Sequence, residues 1–336
     1  MPKLAVLKQV LKALVALALA LAVAEIAVGY LVPLRDVGPS LSRYDPALGQ
    51  SLHPGFSTVR TTPEFTMRLS TNAHGFRGPE ISSPLRGGIL FLGDSFTMGY
   101  GVNDGEEFPA LVTAKLKQES PTVDVPVINA GIGNSGNGRW VKLLNRMGNS
   151  LAPRVVVMQV LENDFADNLR ERLFELAPDG ALRELAVPQP GLGRRFQAFI
   201  ETIPGLPSTN LIALARQARL PQFRAATEAP AAAEARPPGA LNPGDTLTVR
   251  IIERAIAICR ENGWPVLGLS IGLHGDRQAA IRQVFLEGGA EVLELPDKSA
   301  RPDLYYKIDG HWNAAGQADA AAQVFERLKL MGTVGR

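Results

Sequence analysis

Four short stretches hold residues that can do chemistry together. "GDSFTMG" sets Ser95 behind the apolar run Ile89-Leu90-Phe91-Leu92, and "VINAGIGNSGNG" sets Asn129 and several glycines behind another such run. "VVVMQVLEND" ends on Asn163 and Asp164, and "YYKIDGHWNAAG" offers Asp309 and His311. Acyl transfer needs a nucleophile, a base touching it, an acid orienting that base, and donors for the developing oxyanion. Ser95 can attack, His311 can accept its proton, and Asp309 can hold the imidazole. Backbone amides of Ser95 and a loop glycine, with the Asn163 side-chain amide, can bind the negative charge. Taken singly, each has a plainer reading: a helix cap for Ser95, an Asx turn for Asn163, a histidine stacked on Trp312 for His311. Asp94 adjoins the serine and points elsewhere, so it reads as a buried acceptor bracing the loop.

These residues need a scaffold that ends its strands on one edge. Strands are expected at Ile89–Leu92, Val123–Asn129, Val155–Val160, Val266–Ile271 and Glu291–Leu295. Helices are expected at Glu106–Gln118, Gly138–Met147, Thr246–Asn262, Arg277–Glu287 and Ala314–Leu330. Strands alternating with helices imply a mostly parallel sheet of about five strands between helical layers. Right-handed crossovers then gather the carboxyl ends on one edge, where open α/β sheets place ligands. The set of motifs, each at such an end, favours catalysis over the plainer readings.

With Gly93-Asp94-Ser95-Phe96, the glycine loop, Asn163-Asp164 and Asp309-Gly310-His311 in this order, the chain resembles the SGNH, or GDSL-like, hydrolase superfamily. The resemblance covers roughly residues 89–168 and 246–330. It implies a three-layer α/β/α, flavodoxin-like fold and ester hydrolysis through a serine acyl-enzyme, with Ser95, a glycine, Asn163 and His311 as the functional set and no cofactor. Leu161 stands where the family often has glycine two residues before the asparagine. "GIGNSGNG" offers Gly131, Gly133, Gly136 and Gly138 for the oxyanion glycine. Counting forward from Asn129 favours Gly133; counting back from the next helix favours Gly136, which is taken here. The acid lies two residues before the histidine, and this form resembles a branch with membrane-linked bacterial polysaccharide acetyltransferases and esterases. An acylated carbohydrate is therefore an expected substrate class.

The rest of the chain sets bounds. Its 336 residues allow one large domain with extensions, and 35 Lys and Arg against 33 Asp and Glu make no electrostatic case for nucleic acid. One cysteine and four histidines make a metal cage improbable, and Cys259 reads as a helical core residue. Residues 1–34 hold "ALVALALALAVA" and "IAVGYLVPL" behind Lys3, Lys8 and Lys12. This is a signal anchor, or a signal peptide cut after Ala22-Val23-Ala24, and either puts the remainder outside the cytoplasm. The anchor is preferred because apolar residues continue to Leu34. Glu25 is tolerable only near the outer interface.

Residues 35–88 read as an extended lead-in packed on the main domain, 89–336. Residues 169–245, with the Ala/Pro-rich "EAPAAAEARPPGALNPGD", read as a loop-like insertion and candidate cap over the site. His53, His74, Tyr305 and Tyr306 read as packing or surface groups, and His274 as a residue on the active edge. Arg77 is expected to pair on the surface, with carboxylate or phosphate binding as the alternative. Three functions fit: an extracytoplasmic esterase, an acyltransferase on the same triad, and a silent binding module, which has no need of the full set of residues. A phosphate-binding loop does not fit, for "GDSFTMGYG" lacks the Gly-Lys-Ser/Thr ending.

Overall fold

The computed structural model describes residues 2–32, 34, 37–81, 85–119, 121, 125–227 and 241–334. A long helix, α1 (Pro2–Leu31), precedes two antiparallel hairpins, β1 (Ser42–Asp45) with β2 (Gly49–Leu52), and β3 (Ser57–Thr61) with β4 (Thr66–Ser70). Strands and helices then alternate: β5 (Ile89–Leu92), α2 (Ser95–Met98), α3 (Phe108–Glu119), β6 (Val127–Asn129), α4 (Gly138–Leu151), β7 (Val155–Leu161) and α5 (Asp164–Glu171). An insertion follows, formed by the hairpin β8 (Phe174–Leu176) and β9 (Leu182–Glu184), then α6 (Leu192–Glu201) and α7 (Asn210–Thr227). The alternation resumes with α8 (Pro243–Glu261), β10 (Val266–Ile271), α9 (Gly275–Glu287), β11 (Glu291–Leu295) and α10 (Ala314–Leu330).

The main sheet runs β11-β10-β7-β5-β6, with every pair parallel. Counted along the chain this is the order 2-1-3-4-5 of flavodoxin-like sheets. Connections leave β5 in opposite directions, so a crevice opens between the carboxyl ends of β5 and β7. Successive side chains on each strand go to opposite layers. Ile89, Phe91, Val155, Val157, Leu267 and Leu269 meet α3 and α10 on one face. Leu90, Leu92, Val156, Met158 and Val160 meet α4, α8 and α9 on the other. Two-sided burial is why these strands read as continuous apolar runs. Gly268 lets the Phe285 ring lie on the sheet, since a Cβ there would come within 2.8 Å of it.

Element ends moved for local reasons. Helix α3 begins at Phe108 because Glu106 and Glu107 accept from the backbone N–H groups of Asn103 and Gly105, holding a turn. Helix α8 begins at Pro243, with Asn242 accepting from the Asp245 N–H at 2.8 Å and proline suited to the first position. Helix α4 runs on to Leu151 and stops at Ala152, whose φ of 36° is left-handed. Strand β6 begins at Val127, and residues 123 and 124 of its expected range lie outside the described residues.

Two expectations about the flanking segments change. Within the segment expected to be a simple extended lead-in, residues 42–70 form the two hairpins. Alternation in Thr66-Met67-Arg68-Leu69-Ser70 buries Met67 and Leu69 with Leu52, Phe65, Met98 and Ile132, and so fastens the hairpins under the loops behind β5 and β6. The insertion holds a hairpin and two helices instead of lacking secondary structure, while residues 228–240 of its Ala/Pro-rich stretch lie outside the described residues.

Candidate active site

Ser95 opens α2 directly behind β5. The turn is tight: a Cβ on Gly93 would come within 2.1 Å of Thr97 Oγ1, so no other residue fits there without displacement. Asp94 caps α2, accepting from the Phe96 N–H at 2.9 Å, and is 1% exposed, the bracing acceptor expected of it. His311 Nε2 lies 2.7 Å from Ser95 Oγ, and His311 Nδ1 lies 2.5 Å from Asp309 Oδ1. The imidazole sits between the rings of Phe96 and Tyr100, each with its centroid 5.0 Å away, while Trp312 is buried beneath. Burial pushes the Asp309 carboxyl up, but the hydrogen bond and charge of His311 outweigh it and leave it below the ordinary aspartate value. The pair therefore stays ionised on the carboxylate side through neutral pH, as orientation of an imidazolium requires.

Of Gly133 and Gly136, the structure brings the first against Ser95. A Cβ on Gly133 would lie 3.4 Å from Ser95 Cβ, whereas one on Gly136 would strike Asn168, 2.8 Å from its backbone nitrogen. The Gly136 amide instead favours the Glu171 carboxylate, which burial pushes up to about 7. Gly136 to Gly138 pack on α5 instead, with the Gly138 N–H donating to Asn168 Oδ1 at 3.1 Å. Gly133→Ala is accordingly expected to lower kcat for an ester at least about tenfold with little change in melting temperature, whereas Gly136→Ala should cost on the order of 1–3 kcal/mol of stability. Thermal melts beside steady-state rates separate the two.

Asn163 is at the crevice, but its Nδ2 donates to Asp167 Oδ2 at 3.0 Å and to Asp94 Oδ2 at 3.4 Å, and its Oδ1 is buried without a partner. Asp164 turns inward, accepting from Asn137 Nδ2 at 2.9 Å and the Leu161 N–H at 3.0 Å. Burial, then the nearby Asp94 carboxyl, raises Asp164 well above its ordinary value of 3.8. Between 3.8 and that raised value the folded chain keeps a proton the unfolded chain has lost, so stability falls as pH rises. Asp164→Asn removes this penalty, and denaturant melts should show a gain on the order of 1 kcal/mol at pH 8 that shrinks toward pH 4.

Three supporting residues were not picked out from sequence. Gln159, fully buried in β7, accepts from Thr97 Oγ1 at 2.9 Å and the Asp94 N–H at 3.3 Å. A lone amide inside "VVVMQVL" was the available signal. Glu64, from the turn between β3 and β4, accepts the N–H groups of Ile308 and Asp309 at 2.9 and 2.6 Å and fixes the acid's loop. Gln317 on α10 accepts the Phe108 N–H at 2.8 Å and donates to the Phe96 carbonyl at 3.4 Å.

Arg77 is neither a surface pair nor a ligand site. It is 3% exposed and donates to the carbonyls of Met98, Gly99 and Val102, the segment that carries the chain away from Ser95. The remaining singled-out residues stay outside the chemistry. His274 is exposed 3.1 Å from Asp297, and His53 lies 3.8 Å from Glu201. His74 is exposed. Tyr305 and Tyr306 pack, donating to the carbonyls of Pro296 and Gly101. Cys259 is buried on α8, its thiol pushed up to about 12 by burial.

No protein-family model and no curated protein matches the chain. Solved structures similar to it include a G-D-S-L family protein from Desulfitobacterium hafniense DCB-2, at 13% identity and TM-score 0.38 over 71% of this chain and 97% of that one. Another is the acetyl xylan esterase AlAXEase, at 14% identity and TM-score 0.41 over 71% and 98%. A third is a variant of Axe2, an acetyl-xylooligosaccharide esterase from Geobacillus Stearmophilus, at 13% identity and TM-score 0.41 over 73% and 96%.

Proposed function

We propose that this chain is a serine ester hydrolase of the SGNH, or GDSL-like, kind, with Ser95 as nucleophile, His311 as base and Asp309 as its orienting acid. The observation that carries the reading is the unbroken series of contacts from Ser95 Oγ through His311 to Asp309, at 2.7 and 2.5 Å. His311 takes the hydroxyl proton as Ser95 attacks the ester carbonyl, then gives it to the departing alkoxide. Water, deprotonated by the same imidazole, releases the acid from the acyl-enzyme.

The amides of Ser95 and Gly133 flank the position of the oxyanion, and Asn163 is the third donor. Asn163 reaches it by giving up its 3.4 Å contact to Asp94, the weaker of its two, while the bond to Asp167 retains it. Helix α1 supports an anchor in a membrane, with its lysines on the cytoplasmic side and the hydrolase outside.

A fluorophosphonate ester tests the mechanism, since it phosphonylates only a serine that is already activated. The expected result is one adduct, mapped to Ser95 by mass spectrometry and lost in His311→Ala. A folded protein that stays unlabelled, or is labelled equally without His311, overturns the reading.

A further inference from the structure

Helix α6 faces the wrong way for a soluble protein. Leu192, Phe196 and Phe199 recur at helical spacing along α6 and are 84%, 58% and 60% exposed, and Ile203, two residues past its end, is 38% exposed, while Ile200 beside them is 8% exposed. Two phenylalanines and two aliphatic residues on one exposed stripe mark a surface that is covered in use. The other side of α6 meets the segment between β2 and β3, where Glu201 lies 3.8 Å from His53.

The insertion is also joined to α1. Glu25, the one acid in that apolar helix, accepts from the first backbone N–H groups of α7, Asn210 at 2.5 Å and Leu211 at 3.0 Å. Asn210 Nδ2 returns a bond to the Glu25 carbonyl at 3.3 Å. Gly29 allows this close approach, since a Cβ there would lie 2.6 Å from that nitrogen. A carboxylate at a helix amino terminus satisfies orphan donors and meets the positive end of the helix dipole. Glu25 thus has its partner within the protein.

Position along α1 sets the level of the insertion. With Lys12 held at the cytoplasmic boundary of the span Leu4–Leu31, a hydrocarbon core of about 30 Å takes up about 20 residues of helix and ends near Leu31. Tyr30, 87% exposed, therefore stands at the outer headgroup boundary, a zone suited to tyrosine. Glu25 lies about 8 Å along the axis inside Tyr30, so α7 begins just below the headgroup layer, and residues 202–209, with the short 3-10 helix Leu206–Ser208, join it to the end of α6. Charge agrees with this placement: residues 185–227 hold five arginines (194, 195, 216, 219 and 224) against the single acid Glu201. A basic helix with an aromatic and aliphatic face is the composition of elements that lie in a bilayer interface.

We propose that the insertion is a membrane-seating element rather than a lid: the Leu192-Phe196-Phe199 face of α6, with Ile203 just beyond it, lies in the headgroup layer of an anionic bilayer, and the Glu25–α7 contact locks it to the anchor. The hydrolase is then held at a fixed height and tilt over the lipid surface. This rests on the reading of α1 as a bilayer-crossing anchor and is independent of the triad.

The full chain is reconstituted in vesicles of phosphatidylcholine and phosphatidylglycerol with an environment-sensitive fluorophore on Phe199→Cys, Phe196→Cys, Ala198→Cys or Leu17→Cys. Cys259 is buried and stays unlabelled. Lipids carrying a nitroxide near the headgroup should quench the labels at 196 and 199 at least twofold more than the label at 198. Lipids nitroxide-labelled deep in the chain should quench the label at 17. If 17 is quenched but 196 and 199 behave like 198, the seating is overturned while the anchor stands. If 196 and 199 are shielded from iodide yet untouched by nitroxide lipids, a protein surface covers the face and the proposal is equally overturned. If 17 is not quenched, the anchor reading fails and the proposal with it.

Discussion

Ser95→Ala is expected to lower kcat for ester hydrolysis by a factor on the order of 10^4 to 10^6 and to leave the protein folded. The size follows from the dependence of the triad on its nucleophile. Without Oγ, His311 has no proton to take from the attacking group, and only oxyanion stabilisation and substrate binding remain. The small effect on stability follows from what is removed: one hydroxyl at a half-exposed position, whose bond to His311 water can replace. Steady-state rates with a short-chain ester, beside thermal melts of both proteins, check this. A melting temperature within a few degrees of the parent and a rate above about one hundredth of it would remove Ser95 from the mechanism.

The second large effect falls on stability. Arg77→Ala is expected to cost about 3–5 kcal/mol at neutral pH, among the larger losses a single substitution causes. Arg77 donates to the Met98 and Val102 carbonyls at 2.9 and 2.7 Å and to that of Gly99 at 2.5 Å; it lies 3.8 Å from Glu107 and 3.5 Å from Asp104. Its removal strands three carbonyls and leaves the Glu107 carboxylate buried without its cation. Burial already raises Glu107 above its ordinary value, and Arg77 is the first of the groups opposing that rise. Without Arg77 the carboxyl rises further, so the variant holds a proton over a wider pH range when folded than when unfolded. Its deficit therefore grows as pH rises above 4.5 and narrows on acidification. Arg77→Lys recovers little, because one ammonium cannot reach carbonyls spread along Met98 to Val102 as a planar guanidinium does. Urea melts at pH 5 and pH 8 test both the size and the pH trend. A loss under 1 kcal/mol at both would mean that the turn behind Ser95 holds without this strut.

What the residues alone determined about this protein is the sheet, together with which residues are the candidates for nucleophile, base and acid. Ile89–Leu92 and Val266–Ile271 fall where the apolar runs put them, because a strand buried on both faces excludes charged groups and so has sharp ends in the sequence. Ser95, Asp309 and His311 were legible because each stands directly behind or beside such an element, and their types leave few alternative chemistries. Helix α5 was not legible: "DFADNLRE" is short and polar, and it is held by partners such as Asn137 and Thr248 that lie far away in sequence.

Only the tertiary structure decided which glycine meets the serine, since a loop's path depends on what packs beneath it. Gly133 and Gly136 are indistinguishable by counting, and the Asn168 side chain settles them by contact. The same holds for Arg77, Glu64 and Gln159. Each supports the Ser95 turn or the Asp309 loop through hydrogen bonds to backbone atoms, and a backbone atom leaves no trace of its partner in the order of residues. Residues that react must be of particular types, so the sequence displays them. Residues that position them need only reach, and reach is a property of the folded chain.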